Sequence, residues 1–239
     1  MRNVFYICAA AELLFVPLFL KYSREEKTYK SLVFKMICAS LFVAAGVFAT
    51  LSAERADDFG ILMIAGLCTC WLGDLLLHIP PKKRDLFLFG TLSFLCGHLF
   101  YITAFSRAIV RIFPGISYFD GLEIAAFCIM ELGLLIILKL LKMKMGRTAA
   151  VVLPYGAVII VMGIKAQSLG LRMLLAGLPQ GKLMVALTAV GVVSFFLSDM
   201  LLGFLRFKTH RPHFGIKVIN IVTYFGAQIC LAATILLVP

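Results

Sequence analysis

Leu72-Gly73-Asp74-Leu75-Leu76-Leu77 and Leu197-Ser198-Asp199-Met200-Leu201-Leu202 are near-matching frames 125 residues apart, each carrying one aspartate inside a long apolar run. Each run is long enough to cross a bilayer, which takes about 20 residues of helix. A carboxylate in hydrocarbon costs several kcal/mol unless it is paired or protonated, so an intramembrane aspartate is a functional-site candidate by default. Two of them in matching frames point to a paired-carboxyl site suited to acid/base hydrolysis.

The rest of the chain fits that reading. Hydrophobic residues make up 62% and charged residues 15% of the 239, against roughly 45–50% apolar in a soluble domain. The mean hydropathy is +1.02. Apolar stretches cover 3–21, 32–51, 60–79, 86–106, 119–141, 149–168, 183–205 and 214–238. The fold class expected is all-α, a polytopic bundle of about eight transmembrane helices forming a single domain over 1–239. No polar stretch is long enough for a separate soluble domain. The first stretch runs into Phe19-Leu20-Lys21-Tyr22 with no small-residue cleavage site, which reads as a retained helix and not a removed signal peptide.

The net charge of +11 invites a nucleic-acid reading, but its distribution opposes it. Basic residues sit in short breaks between apolar stretches, with no basic arm and no aromatic–basic interleaving. Counted by loop, 16 of the 23 Lys and Arg fall at the N-terminal flank of the second stretch or in the breaks after the first, third, fifth and seventh stretches. The positive-inside rule then puts those loops in the cytoplasm and both termini outside, in what reads as a bacterial cytoplasmic membrane. The matching frames also suggest a weak four-plus-four parallel repeat.

Depth supports a shared site. Asp74 lies six residues before Pro80 and Asp199 seven before Arg206, so each is about 9–10 Å inside the basic boundary at ~1.5 Å per residue. In the fourth stretch His98 and Tyr101 share a helix face, and Gly97 permits close helix approach. In the last stretch Lys217, Asn220, Tyr224 and Gln228 form one polar stripe that should face the bundle interior or a wet cavity. Asn220 lies at the aspartates' depth. Glu12, Glu123 and Glu131 lack a partnering frame and rank lower. His78, one turn after Asp74, would bond it or sit at the interface. The loop groups Lys82-Lys83-Arg84 and Lys208-Thr209-His210-Arg211-Pro212-His213 read as topology signals that could also hold a lipid phosphate. The seven cysteines lie in apolar stretches without zinc spacing and read as buried free thiols. There is no H-E-x-x-H, Walker A, Rossmann or G-x-S-x-G motif, and neither a metal nor an organic cofactor is expected.

The ordered set Gly73-Asp74, Phe94-x-x-Gly97-His98-x-x-Tyr101 and Phe196-x-Ser198-Asp199, followed by a polar last helix, resembles the YhhN-like lysoplasmalogenase family over essentially the whole chain. Tyr155 fits as well. Lys30-Ser31-Leu32 departs from it, since the family often has Lys-Pro-Leu there. The resemblance implies an integral membrane hydrolase that cleaves the sn-1 vinyl ether of lysoplasmalogen to a fatty aldehyde and glycerophosphoethanolamine or glycerophosphocholine. It implies Asp74 and Asp199 as the acid/base pair, with His98, Tyr101, Asn220, Tyr224, Tyr155 and Arg84 binding or positioning the lysolipid and water. Two other readings stand beside it: an intramembrane aspartyl protease, whose second motif would need a tyrosine where Ser198 stands, and a non-enzymatic lipid or proton-coupled transporter.

Overall fold

A computed structural model describes residues 1–24, 28–53, 58–79, 86–143, 145–207 and 213–239. Within these, eight helices are long and apolar enough to span a membrane. They are α1 (Arg2–Tyr22), α2 (Tyr29–Ser52), α3 (Asp58–His78), α4 (Phe87–Ile112), α5 (Gly121–Leu140), α6 (Ala149–Leu175), α7 (Gly181–Phe207) and α8 (Phe214–Thr234), with a single 3-10 turn at Gly146–Thr148 before α6. No strand occurs among the described residues.

Two helix starts are set by reciprocal capping. The Thr28 hydroxyl accepts from the Ser31 amide at 3.1 Å and the Ser31 hydroxyl from the Thr28 amide at 3.0 Å. Asp120 and Glu123 do the same for α5. Ser31 thus performs a capping job at the position where the expected family pattern has proline.

Several helices run past the apolar stretches seen in the sequence. The fourth was expected over 86–106 and the sixth over 149–168, but α4 continues through Arg107 and Arg111 and α6 through Arg172. A long basic side chain keeps its stem on apolar surface while its head finds a partner. Here Arg107 pairs with Asp58 at 3.1 Å and Arg172 with Asp120. The last stretch was expected to 238, whereas α8 ends at Thr234.

The core is built on close contact between α3 and α4. A Cβ at Gly66 would stand 2.3 Å from the Tyr101 ring and one at Gly73 2.7 Å from the Phe94 ring. Small residues let helices approach where lipid supplies no hydrophobic drive for association. Neighbour relations repeat between halves: α3 lies between α2 and α4 as α7 lies between α6 and α8, while α2–α8 and α4–α6 contacts join the halves. The outer helices break the pattern. α1 packs on both α2 and α8, but α5 packs chiefly on α6 and buries only Glu123 and Leu134.

Candidate active site

The end of the bundle carrying the loops after α1, α3, α5 and α7 holds both aspartates. Asp74 on α3 is 2% exposed. Its Oδ1 meets the Lys35 ammonium on α2 at 2.9 Å, and its Oδ2 accepts from the Tyr224 hydroxyl on α8 at 2.6 Å. Behind it the Gln228 amide donates to the Tyr224 oxygen at 3.2 Å, and the Tyr101 hydroxyl donates to Gln228 Oε1 at 3.0 Å. Asp74 is therefore a carboxylate with a counter-ion and a fixed phenol.

Asp199 on α7 is held differently. Its Oδ2 accepts from the Tyr155 hydroxyl on α6 at 2.6 Å, and no cation pairs with it among the described residues. The Tyr155 oxygen also lies 3.4 Å from His98 Nε2 on α4. Because Tyr155 spends its proton on Asp199, His98 is assigned as the tautomer that donates from Nε2. That leaves Nδ1 as an acceptor, and this buried atom has no hydrogen-bond partner among the described residues.

The two carboxyls are not bonded to each other. Asp199 lies within range of the charge on Asp74, and Cys70 within range of both. Rings fill the space around them: Phe195 stands 4.7 Å from His98 and 5.7 Å from Tyr224, and Phe94 stands 5.9 Å from Tyr224, centroid to centroid.

Asp199 is half-buried and lines a narrow cavity of about 70 Å³. Apart from Tyr155, Thr91 and Asp199 its walls are apolar or glycine, with Phe94, Leu134, Phe196 and Met200 among them. All of its lining lies in the halves of α3 to α7 nearest the basic loops, or in the loop at Met143. The lining suits an apolar group ending at a polar wall. The inner half of α5 closes one side through Leu134 and Leu138.

The remaining candidates sort by contact. All four residues of the α8 stripe bond another helix or its end: Lys217 to the Ser23 carbonyl, Asn220 to Ser198 O at 2.7 Å and Oγ at 3.1 Å, Tyr224 to Asp74, and Gln228 to Tyr101. Asn220 thus steadies the residue before Asp199. His78 bonds the Ser31 hydroxyl at 2.8 Å and is buried against Phe19. Arg84 and its neighbours Lys82 and Lys83 lie outside the described residues, as do residues 208–212 of the second basic group. Glu123 forms a buried pair with Lys165 at 2.7 Å, far from the aspartates along the chain and at the opposite end of the bundle. Glu12, 2% exposed on α1, has no hydrogen-bond partner for either oxygen among the described residues and lies within range of the charge on Asp74. No group of His, Cys, Asp and Glu fit to hold a metal occurs among the described residues.

Lys35 escaped the sequence reading because it was counted only as a topology charge. The available signal was its place within 32–51, where an ionisable residue inside an apolar stretch ranks with the aspartates.

All of these helices fall within, or overlap, the match to a known family, which covers residues 9–235. The chain belongs to the YhhN family. No curated protein and no solved structure gives a match. YhhN is the lysoplasmalogenase family, and membership is consistent with a hydrolase.

Proposed function

We propose that this YhhN protein hydrolyses the sn-1 vinyl ether of lysoplasmalogen, releasing a fatty aldehyde and the glycerophospho-alcohol. The observation that carries the proposal is the asymmetry of its two aspartates. Asp74 is tied to Lys35, whereas Asp199 has a phenol, an apolar cavity and, among the described residues, no cation.

A half-buried carboxyl facing an apolar wall, with no counter-ion among the described residues, is most cheaply kept neutral, so Asp199 is assigned as the acid. The alkenyl chain lies in the cavity with its double bond against Asp199. Asp199 gives its proton to the alkenyl carbon remote from oxygen, and the adjacent carbon becomes an oxocarbenium ion. Asp74, kept ionised by Lys35, stabilises that cation. A water whose O–H bonds His98 Nδ1 adds to the cation and passes a proton to Asp199, which restores the acid. The hemiacetal then collapses: its hydroxyl loses a proton, the bond to the glycerol oxygen breaks, and that oxygen is protonated. The sum is one water consumed and one carbon–oxygen bond cleaved. Tyr155 and Tyr224 hold the two carboxyls in place, and Tyr101 and Asn220 support them from behind. The scheme needs no metal or organic cofactor.

The test is aldehyde release by purified protein in detergent, across vinyl-ether, saturated-ether and ester lysolipids of equal chain length. The vinyl ether alone should turn over, and in heavy water the aldehyde should carry deuterium at its α-carbon. Release of fatty acid from the ester at a similar rate would make the protein a phospholipase. Cleavage of a peptide but no lipid would make it a protease. Absence of any cleavage would favour a carrier.

A further inference from the structure

At the basic end, the C-terminus of α1 and the first turns of α2 and α8 meet beside Asp74. Lys217 on α8 donates to the carbonyl of buried Ser23, and Lys35 on α2 donates to Asp74 Oδ1. Lys217 lies within range of the charge on Lys35. Both side chains are half-buried, and Lys35 is 13% exposed. Arg24, at the end of α1, lies 5.4 Å from the centre of the Phe214 ring at the start of α8. Three cations thus converge on one corner.

Two ammonium groups brought together away from bulk water repel, and a nearby anion is what offsets that cost. Among the described residues Asp74 is the only acid paired with either lysine, and it divides its oxygens between Lys35 and Tyr224. Each ammonium carries three donors, and one on each has a described partner. The helix starts add nothing to the site, because Thr28 and Ser31 cap α2 and His213 bonds the Gly215 amide of α8. What remains, among the described residues, is an excess of positive charge with N–H groups that have no described partner, at the basic end of the bundle. This complements a singly charged phosphodiester.

We infer that Lys35 and Lys217 form a subsite for the phosphate of the lipid headgroup. The inference rests on the lysolipid reading above and adds the part of the substrate that the cavity cannot hold. In a lysoplasmalogen only the three glycerol carbons separate the vinyl ether oxygen from the phosphate oxygen. Lys35 is bonded directly to Asp74, so an ether held at the aspartates brings the phosphate, three carbons on, toward it. Tail, ether and phosphate then run in one line from the cavity past the two aspartates to the α1–α2–α8 corner.

The test is equilibrium binding to the whole protein in detergent, using two ligands that cannot be cleaved: a 1-O-alkyl lysophosphatidylcholine and the 1-O-alkylglycerol of the same chain. Wild type should bind the phosphate-bearing ligand about 10-fold more tightly. Lys217→Met should remove most of that gap and leave the alkylglycerol unchanged, while Lys217→Arg should keep it. Equal binding of both ligands to wild type would overturn the inference. It is the result expected if a carboxylate of the chain, Glu25 or Glu26 included, already fills the corner. Equal weakening of both ligands by Lys217→Met would overturn it as well, by making Lys217 a structural prop. Glycerophosphocholine should compete for the subsite, and inorganic phosphate at the same concentration should not. Equal competition by inorganic phosphate would assign the corner to free phosphate and overturn the headgroup reading. Because the ligands are not turned over, the result is readable even if wild type releases no aldehyde.

Discussion

The Tyr155 hydroxyl donates to Asp199 Oδ2 at 2.6 Å, at the wall of the apolar cavity. That one bond fixes which way the proposed acid faces. Tyr155→Phe removes it without changing the ring that packs on His98. A hydrogen bond to a charged or reacting carboxyl is worth about 1.5–3 kcal/mol, so kcat for aldehyde release should fall about 10–100-fold. KM and the melting temperature should stay near wild type. An unchanged kcat would remove Tyr155 from the site.

The two aspartates should separate by stability even though both are needed for turnover. Asp74→Asn leaves the Lys35 ammonium without its carboxylate. Stranding a buried charge costs up to about 3–5 kcal/mol, less here because Lys35 is 13% exposed. Asp199→Asn strands no cation. Thermal melts should therefore show a clear drop for Asp74→Asn and little for Asp199→Asn. Adding Lys35→Met to Asp74→Asn should recover stability and leave the protein inactive. Equal melts for the two single variants would contradict the assignment of Asp74 as the ionised partner.

Chain length should be set by the cavity wall. Gly203 lines it, and a Cβ there would stand 3.2 Å from the Met143 side chain. Gly203→Leu fills space that a long alkenyl tail would occupy. It should lower kcat/KM for long chains about 10-fold, a loss of ~1.4 kcal/mol, while short chains are spared. A uniform loss across chain lengths would place the tail elsewhere.

The peripheral helix α5 is pinned at the end away from the site. Lys165 there is 1% exposed and Glu123 7%. Lys165→Met alone should destabilise by about 3–5 kcal/mol, and Lys165→Met with Glu123→Leu by less, measured by denaturation in detergent. The neighbouring Asp120 carboxyl is held below its ordinary pKa by the Glu123 amide, with Arg172 adding to the effect. A depressed carboxyl contributes stability above its ordinary range and loses it as pH falls through the depressed value. Asp120→Asn should therefore narrow the stability difference between neutral and strongly acidic solution. No change in that difference would mean that Asp120 is equally free in the unfolded chain.

Sidedness follows from the charge distribution. If the basic loops face the cytoplasm, a cysteine introduced by Lys83→Cys in a background without native thiols should resist an impermeant reagent added to intact cells. Labelling from outside would invert the arrangement and put the site near the outer leaflet.

The eight spans were legible in the sequence because hydropathy acts locally: each stretch meets the bilayer on its own, whatever its neighbours. The cost of placing Asp74 and Asp199 in apolar stretches was legible for the same reason, since a carboxyl there needs compensation wherever the helix packs. The polar face of α8 came from 3.6-residue periodicity, which is also local. Helix ends were less legible. Arg107 and Arg172 lay beyond the expected stretches, and there partners on other elements accompany the helices as they run on.

The wiring was decided by tertiary structure. Nothing in the two matching frames says that Asp74 takes a lysine from α2 while Asp199 takes a phenol from α6 and opens to a cavity. The motif Phe94-x-x-Gly97-His98-x-x-Tyr101 also divides only in space: Phe94 and Tyr101 rest on Gly73 and Gly66, and His98 turns to Tyr155. The physical reason is the same in each case. The cost of burying a charge belongs to a residue and its local stretch, but its compensation comes from groups 39, 44 or 150 positions away in the chain. Their approach is set by how helices pack, which no local pattern encodes.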